Sequence, residues 1–235
     1  MEMDYKSFQL LILQFEEEGL VTRTFRRLDA PRQQAVISSI MEDAAEFGPA
    51  HVNIKRVAER AGVAVGSLYQ YFGGRNRMVD FAVEISCRTM VAMFHESIGY
   101  FHEMNLRDGL RMYLSYGIEW TREQSAFLRL FARAAYHGDP SLQEKLVKPV
   151  AEAMRNVVIE ILRQAQARVE LRANLDLEAS ARVINALSIA LGDSQLMPYL
   201  NQYFLVTDQQ VGFERILDAY CSLLVDGIGI RKEEA

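Results

Sequence analysis

The chain has 235 residues, 50% of them hydrophobic, and a net charge of −5. This length allows a sizeable buried core and supports one large or two modest domains. Cys87 and Cys221 are too few and too far apart to indicate a disulfide framework or a zinc site. The amino terminus lacks a signal pattern, and no apolar run approaches the roughly 20 residues that span a bilayer. We therefore expect a soluble cytoplasmic protein that has no membrane segment.

The chain begins with an extension, residues 1–30. Its apolar run SFQLLILQF is compatible with a helix or a strand, and an acidic run follows it. Towards the end of the extension, we expect Phe25 and Leu28 to pack on the next helix. Asp29 is placed to cap that helix, and Pro31 falls in its first turn, where proline is tolerated.

A short amphipathic helix is predicted at residues 54–61. Its apolar face consists of Ile54, Val57, Ala58 and Ala61. Ala58 is small enough to let a second helix approach closely. Asn53 can accept hydrogen bonds from the free amides of the first turn. Gly62 ends the helix, because glycine enters the left-handed conformation without steric cost.

A second helix is predicted at residues 65–72, where Leu68 and Phe72 are spaced to pack inward. Its other faces carry side chains that donate, accept or stack: Ser67, Tyr69, Gln70 and Tyr71. Two glycines end it, and Arg75 and Arg77 open a third helix whose free amides and positive charge suit phosphate binding. Two short helices joined in this way form a helix-turn-helix, and the second one fits the major groove of DNA.

The segment from Val36 to Val79 resembles the DNA-binding domain of the TetR/AcrR family of transcriptional regulators. The resemblance depends on the run AGVAVGSLYQYF at residues 61–72, with its tyrosine-x-tyrosine-phenylalanine ending, and on the basic helix start that follows. It implies an all-α fold with a three-helix DNA-binding domain at residues 31–78. Residues 79–235 would then form a helical effector-binding and dimerisation domain.

The same resemblance implies which residues contact DNA. Contacts to base edges or the groove are expected from Val65, Gly66, Ser67 and Gln70. Phosphate contacts are expected from Asn53, Tyr69, Tyr71 and Arg75. The sequence departs from the family pattern at Ala64, where a serine or threonine usually caps the second helix, and this loss is worth about 1 kcal/mol. Asn53 replaces a usual threonine, and Gly74 with Arg75 replaces a usual serine-lysine pair.

The charge is segregated along the chain. Residues 23–80 contain nine Lys and Arg against six Asp and Glu, a charge of +3, which leaves −8 for the rest. This asymmetry suits a basic DNA-binding region carried on an acidic body, although the acidic residues could equally serve only to solubilise a helical surface. Four arginines of the extension and its border either contact DNA or form a solvated basic rim: Arg23, Arg26, Arg27 and Arg32.

Beyond Arg75 the pattern predicts helices only, and the first of them would belong to both domains. The predicted helices are Arg75–Glu103, Leu106–Thr121, Glu123–Tyr136, Ser141–Val169, Leu177–Tyr199 and Gln209–Asp226. Pro198 should kink or end the fifth.

Methionine and aromatic side chains in these helices could enclose an apolar effector cavity, or they could be ordinary core. The candidate ligand-binding residues are Met93, Phe94, Tyr113, Tyr116, Trp120, Phe127, Phe131 and Met154. No metal or cofactor is predicted, because His95 and His102 would stand about 10 Å apart along a straight helix.

The last two helices have broad apolar faces, and the family resemblance implies a two-fold dimer formed through them. The candidate dimerisation residues are Leu187, Leu191, Leu217, Tyr220 and Leu224. Two recognition helices of such a dimer enter successive major grooves about 34 to 36 Å apart, which predicts a palindromic operator.

The sequence is thus interpreted as a homodimeric transcriptional repressor that an unidentified small, largely apolar or aromatic ligand releases from its operator. An enzyme is not expected, since the chain has no nucleophile elbow, phosphate-binding glycine loop or paired metal-ligand motif. The alternative is a helical ligand-binding or interaction protein whose DNA binding is vestigial. The salt dependence of DNA binding separates the two interpretations.

Overall fold

The computed structural model describes residues 5–123, 125–138 and 140–229. Every regular element in these ranges is a helix, and no strand forms there, so the predicted all-α fold is confirmed. The helices are α1 Tyr5–Glu17, α2 Arg23–Arg26, α3 Ala30–Phe47, α4 Ile54–Ala61, α5 Val65–Phe72, α6 Arg75–Ser97, α7 Leu106–Glu123, α8 Ser125–His137, α9 Pro140–Leu142, α10 Lys148–Ala167, α11 Leu177–Leu196, α12 Pro198–Phe204 and α13 Phe213–Ile228. Short 3₁₀ segments occupy Pro49–His51 and Ile98–Phe101, and a π-helical turn occupies Gln143–Val147.

Within the described residues, the chain folds into two compact units. Unit 1 contains residues 5–89 and 125–149, and unit 2 contains residues 90–123 and 150–229. Helix α6 contributes residues to both units. The domain boundaries expected from the sequence stay a prediction.

The start of α3 follows directly from its sequence. The Asp29 carboxylate accepts a hydrogen bond from the Arg32 amide at 3.0 Å, and Pro31 lies in the first turn. Both predictions for this helix start are therefore confirmed. The apolar run before it forms helix α1 rather than a strand, and α1 buries Ile12 and Phe15 completely.

The core of unit 1 contains a cluster of phenylalanine rings. Phe25 lies 5.2 Å from Phe72 and 5.8 Å from Phe81, and Phe15 lies 5.2 Å from Phe81, measured between ring centroids. The Phe25 ring contacts those of Phe72 in α5 and Phe81 in α6. Its carbonyl accepts from the Gln33 amide of α3 at 3.2 Å, and the expected packing of its ring on α3 stays a prediction.

In the later region, the largest departures from the predicted helices are at the end of α6, within the helix predicted from Ser141 and at the start of the last helix. Helix α6 ends at Ser97 and gives way to a 3₁₀ segment, and the predicted helix from Ser141 is divided by the π-helical turn. The last helix begins at Phe213 because the Asp208 carboxylate accepts from the amides of Gln210 and Val211, both at 2.7 Å, and forms a turn.

Pro198 separates two helices as predicted. Helix α11 ends at Leu196, and Pro198 occupies the first turn of α12. Met197 between them is extended, with φ −128° and ψ 96°. The proline ring excludes the helical conformation from the residue before it, which accounts for the break.

Candidate nucleic-acid interface

Helix α4 is capped at both ends by the residues that its sequence indicates. The Asn53 side chain accepts hydrogen bonds from the amides of Lys55 at 2.9 Å and Arg56 at 3.3 Å. Gly62 follows the helix in the left-handed conformation with φ 66°. The first helix of the helix-turn-helix therefore forms as predicted, and the Asn53 Oδ1 caps its start.

A buried carboxylate ties α4 to α3. The Asp43 side chain is fully buried and accepts from the Asn53 amide at 2.8 Å. It also accepts two hydrogen bonds from the Arg56 guanidinium, at 2.7 and 3.0 Å, which raise the pKa of Arg56. The orientation of α4 on α3 is fixed by this pair, which sequence reasoning missed, because the two residues stand thirteen positions apart.

Helix α5 presents a polar face to solvent and an apolar face to the core. Leu68 and Phe72 are buried, whereas Tyr69 and Gln70 are exposed. Gly66 is exposed, and a Cβ added there would meet no atom within 4 Å. The other residues predicted to contact DNA from this helix, Val65 and Ser67, are half-buried. Ala64 occupies the N-cap position without a side-chain hydrogen bond, as its sequence predicts.

Tyr71 and Arg75 are more enclosed than is expected for residues that contact phosphates. Tyr71 is only 9% exposed. The Arg75 guanidinium donates to the carbonyls of Val52 at 2.8 Å, Pro49 at 3.3 Å and Ala50. Arg75 thereby joins the start of α6 to the 3₁₀ turn that precedes α4. A phosphate role for either residue stays a prediction.

The carboxyl end of α5 is held by a residue of the extension. Gly73, with φ 70°, donates from its amide to the Tyr69 carbonyl at 2.7 Å. The Thr22 hydroxyl donates to the Gln70 carbonyl at 2.7 Å, and the Thr22 amide donates to the Tyr71 carbonyl at 2.8 Å. No local sequence signal reveals these two contacts, because Thr22 lies 48 positions before Gln70.

The basic side chains near α5 fall into two groups. Arg26 pairs with Glu16, and Arg32 pairs with Asp29 at 3.6 Å. Arg23, Arg27, Lys55 and Arg77 form no ion pair with any described residue. Because a paired arginine is already partly neutralised, the second group is better placed to attract an anion.

Unit 1 also contains a cavity of about 350 Å³. Its lining includes Arg75 and none of the candidate ligand-binding residues. The residues that line it are Pro49, Ala50, Arg75, Asn76, Val79, Asp80, Val83, Ser141, Leu142 and Lys145. Lys145 and Asp80 form an ion pair at 3.3 Å.

The candidate ligand-binding residues are divided between the units. Unit 2 contains Met93, Phe94 and Tyr113, which are buried, and Tyr116 and Met154, which are half-buried; unit 1 contains Phe127 and Phe131, which are half-buried. The Trp120 side chain lies outside the part of the chain that the structure describes. The Tyr113 hydroxyl donates to the Asn185 side chain at 2.8 Å and lies 3.5 Å from the Met154 carbonyl. Burial raises the pKa of Tyr113.

The candidate dimerisation residues also differ in exposure. Leu217 and Tyr220 are buried within unit 2, and the Tyr220 hydroxyl lies 2.7 Å from that of Ser188. Leu187 is 45% exposed, whereas Leu191 and Leu224 are half-buried. Of the candidate residues, only Leu187, Leu191 and Leu224 therefore present side-chain surface that a second protomer could cover.

The described residues include no group of three or more His, Cys, Asp or Glu side chains that could hold a metal ion. None of the described helices combines the length and apolar character needed to cross a membrane.

Sequence comparison matches residues 36–80 to the model of the tetR family of bacterial regulatory proteins. These residues contain most of α3, all of α4 and α5, and the beginning of α6. No curated protein matches the chain.

Solved structures of TetR-family proteins share the fold of the chain. A TetR family transcriptional regulator from Chloroflexus aurantiacus J-10-FL is 20% identical, with a TM-score of 0.60 over 90% of this chain and 99% of that one. The fatty acid degradation regulator FadR from Bacillus halodurans is 14% identical, with a TM-score of 0.63 over 86% and 98%. The regulator FadR from Bacillus subtilis, in complex with stearoyl-CoA, is 18% identical, with a TM-score of 0.59 over 83% and 98%. Residues 36–80 therefore match the tetR family of bacterial regulatory proteins, and the chain as a whole has the fold of TetR-family regulators.

Proposed function

We propose that the chain is a homodimeric transcriptional repressor that binds a palindromic operator and is released from it by a small, largely apolar or aromatic effector. The observation that carries the proposal is the exposed polar face of α5. This helix is held by its buried side and its carboxyl end, so its polar side chains are left available for DNA.

The proposed DNA contacts divide into two kinds. Val65, Gly66, Ser67 and Gln70 contact base edges or the groove wall, because the amino-terminal half of a recognition helix enters the major groove. Asn53, Tyr69, Tyr71 and Arg75 contact phosphates. The exposure of Tyr69 and Gln70 supports both assignments, and the burial of Tyr71 leaves little of its side chain for such a contact.

Exposed apolar side chains on α11 and α13 support the dimer. Val183 and Leu187 stand four residues apart on α11 and are 59% and 45% exposed. Leu223 on α13 is 75% exposed. Residues four apart in a helix share a face, so a second copy of the chain would cover Val183 and Leu187 together. Leu191 and Leu224 would extend this surface.

The effector is proposed to bind in unit 2, beside Met93, Phe94 and Tyr113. These side chains are apolar or aromatic, and the buried pair of Tyr113 and Asn185 offers one polar group that could orient a ligand. The stearoyl-CoA bound by the Bacillus subtilis FadR, which has the same fold, makes acyl-CoA thioesters the first compounds to test.

Helix α6 is the proposed connection between effector and DNA. Residues 75–89 of this helix belong to unit 1 and residues 90–97 to unit 2. An effector that displaces the second part would move the first, and with it the recognition helix of each protomer. Coupling of this kind typically amounts to about 1 to 3 kcal/mol, or roughly a 5- to 150-fold loss of DNA affinity.

The operator can be found by selecting duplexes from a random-sequence pool with the purified protein. We expect one palindromic sequence to be enriched, with a dimer bound in sedimentation experiments and affinity that falls steeply with salt. Stearoyl-CoA and aromatic acids are then added to the complex. If the protein enriches no sequence and its weak DNA binding is insensitive to the duplex, the proposal is wrong and the alternative of vestigial DNA binding is favoured.

A substitution of Arg75 separates its two possible roles. If Arg75 binds a phosphate, Arg75→Gln should reduce the salt slope of operator binding by about one unit. If it only holds the turn at residues 49–52, affinity should fall with the slope unchanged. Arg60→Gln on α4, which removes a charge already paired with Glu42 and Glu46, is the control for loss of a nearby charge.

A further inference from the structure

We propose that residues 22–27 form a second DNA-contacting element. Thr22 positions the carboxyl end of the recognition helix α5, and Arg23 and Arg27 bind backbone phosphates beside it. This inference rests on the proposed function as an operator-binding regulator, and it assigns a role to a segment that precedes the matched residues 36–80.

The first step is the position of Thr22. The last four carbonyls of a helix have no partner within the helix, and one that stays unsatisfied is costly where water is excluded. In α5 the Tyr69 carbonyl is satisfied by Gly73, whereas those of Gln70 and Tyr71 accept from the hydroxyl and the amide of Thr22. The same last turn carries the exposed side chains of Tyr69 and Gln70. Thr22 therefore acts as a C-cap supplied from a distant part of the chain.

The second step is the anchoring of the segment. Phe25 is fully buried, and its ring packs against those of Phe72 and Phe81. Helix α1 is tied down in turn by the contact of Phe15 with Phe81 and by the ion pair of Glu18 with Arg88 at 2.7 Å. Because both sides of residues 22–27 are anchored in the core of unit 1, the segment is held in a defined place beside α5.

The third step is the charge of the segment. Arg26 faces Glu16 and is neutralised by it. Arg23 and Arg27 are exposed and form no ion pair with any described residue. They stand four positions apart on one side of the α2 turn. Arg23 directly follows Thr22, whose hydroxyl and amide bond to the carboxyl end of the recognition helix. Two unpaired cations at that place complement the phosphates that flank the major groove.

The phosphate contacts are tested by the double variant Arg23→Gln/Arg27→Gln. Binding to the selected operator is measured between 50 and 200 mM salt. We expect the log–log slope to become shallower by about 1.8, since each phosphate contact contributes roughly 0.9. The matched control is Arg163→Gln/Arg182→Gln, which removes two exposed arginines of unit 2 and changes the net charge equally. An unchanged slope in the first variant, or an equal change in both, means that Arg23 and Arg27 are only a solvated rim.

The positioning role is tested by Thr22→Val, which removes the hydroxyl but keeps the shape and the backbone amide. We expect the preference for the operator over a random duplex to fall about 2- to 10-fold, which corresponds to one net hydrogen bond, with the salt slope unchanged. Thr22→Ser keeps a hydroxyl and should restore the preference. Wild-type preference in Thr22→Val, or failure of Thr22→Ser to restore it, would overturn the role.

The two proposals fail in different ways. If the wild-type chain selects no operator, the proposed function is wrong. If it selects one and these variants behave like their controls, only the role of residues 22–27 is wrong. Thermal unfolding followed by circular dichroism identifies any variant that loses DNA binding because it is unfolded.

Discussion

The helices α5 and α11 are held in place in opposite ways. Helix α5 is held by its apolar face and by its carboxyl end, and its polar side chains Tyr69 and Gln70 face solvent. Helix α11 places polar side chains in the interior, where Asn185 accepts from Tyr113 of α7 and Ser188 bonds with Tyr220 of α13. A helix that reads an external partner keeps its hydrogen-bonding groups free, whereas a helix inside a bundle uses them to specify its neighbours.

The largest expected effect concerns the apolar face of α5. Phe72 is 1% exposed and packs against Phe25 and Phe81, so Phe72→Ala should lower the free energy of unfolding by about 3 to 5 kcal/mol. Urea unfolding measures this loss. The control is Leu10→Ala, at a side chain of α1 that is 60% exposed, where the change should stay within about 0.5 kcal/mol. A loss below about 1 kcal/mol for Phe72→Ala would show that the packed face does not hold α5.

The next effect concerns the interior of unit 2 at high pH. Burial raises the pKa of Tyr220 to about 12, whereas an unfolded tyrosine titrates near 10. Below about pH 10 both states keep the proton. Between about pH 10 and 12 only the folded state keeps it, so stability should fall as pH rises, by up to about 3 kcal/mol. Tyr220→Phe has no hydroxyl to titrate. The free energy of unfolding of the wild type, measured relative to that of Tyr220→Phe, should therefore fall between about pH 10 and 12. If the difference in unfolding free energy between the wild type and Tyr220→Phe does not depend on pH, the raised pKa of Tyr220 is contradicted.

The buried pair of Tyr113 and Asn185 is expected to have a somewhat smaller effect. Tyr113→Phe removes the donor at 2.8 Å and leaves the buried Asn185 oxygen without it, which should cost about 1 to 3 kcal/mol in urea unfolding. Tyr203→Phe, at a ring that is 78% exposed, should change stability by less than about 0.5 kcal/mol. Equal effects of the two variants would remove the contrast between α11 and α5.

The smallest effect concerns the uncapped start of α5. Ala64 has the extended backbone of an N-cap, with φ −70° and ψ 146°, but no side chain that can accept from the helix. Ala64→Ser supplies the oxygen and should stabilise the protein by about 1 kcal/mol, and Ala64→Gly should fall short of that gain by only a few tenths. Asn53→Ala, which deletes the cap of α4, should destabilise by a similar amount. No gain from Ala64→Ser would mean that this end of α5 does not limit stability.

Local sequence signals were sufficient to predict much of the structure of the DNA-binding region. Asp29, Asn53 and Gly62 lie within a few residues of the amides and carbonyls that they satisfy, so their roles follow from sequence spacing. The same reasoning placed the break at Pro198. It misplaced the end of α6, which passes into a 3₁₀ segment, and the start of α13, where the hydrogen bonds of Asp208 form a turn.

By itself, the sequence determined that the protein is all-α and that a helix-turn-helix lies at residues 54–72. It also determined which residues begin and end the two helices of that motif. The tertiary structure decided that Thr22 caps α5, that Arg75 holds the turn before α4, and that Leu217 and Tyr220 face the interior. The physical reason is range: caps and glycine turns act between neighbours in the chain, whereas these contacts join residues more than twenty positions apart. Such residues meet only after the helices have packed.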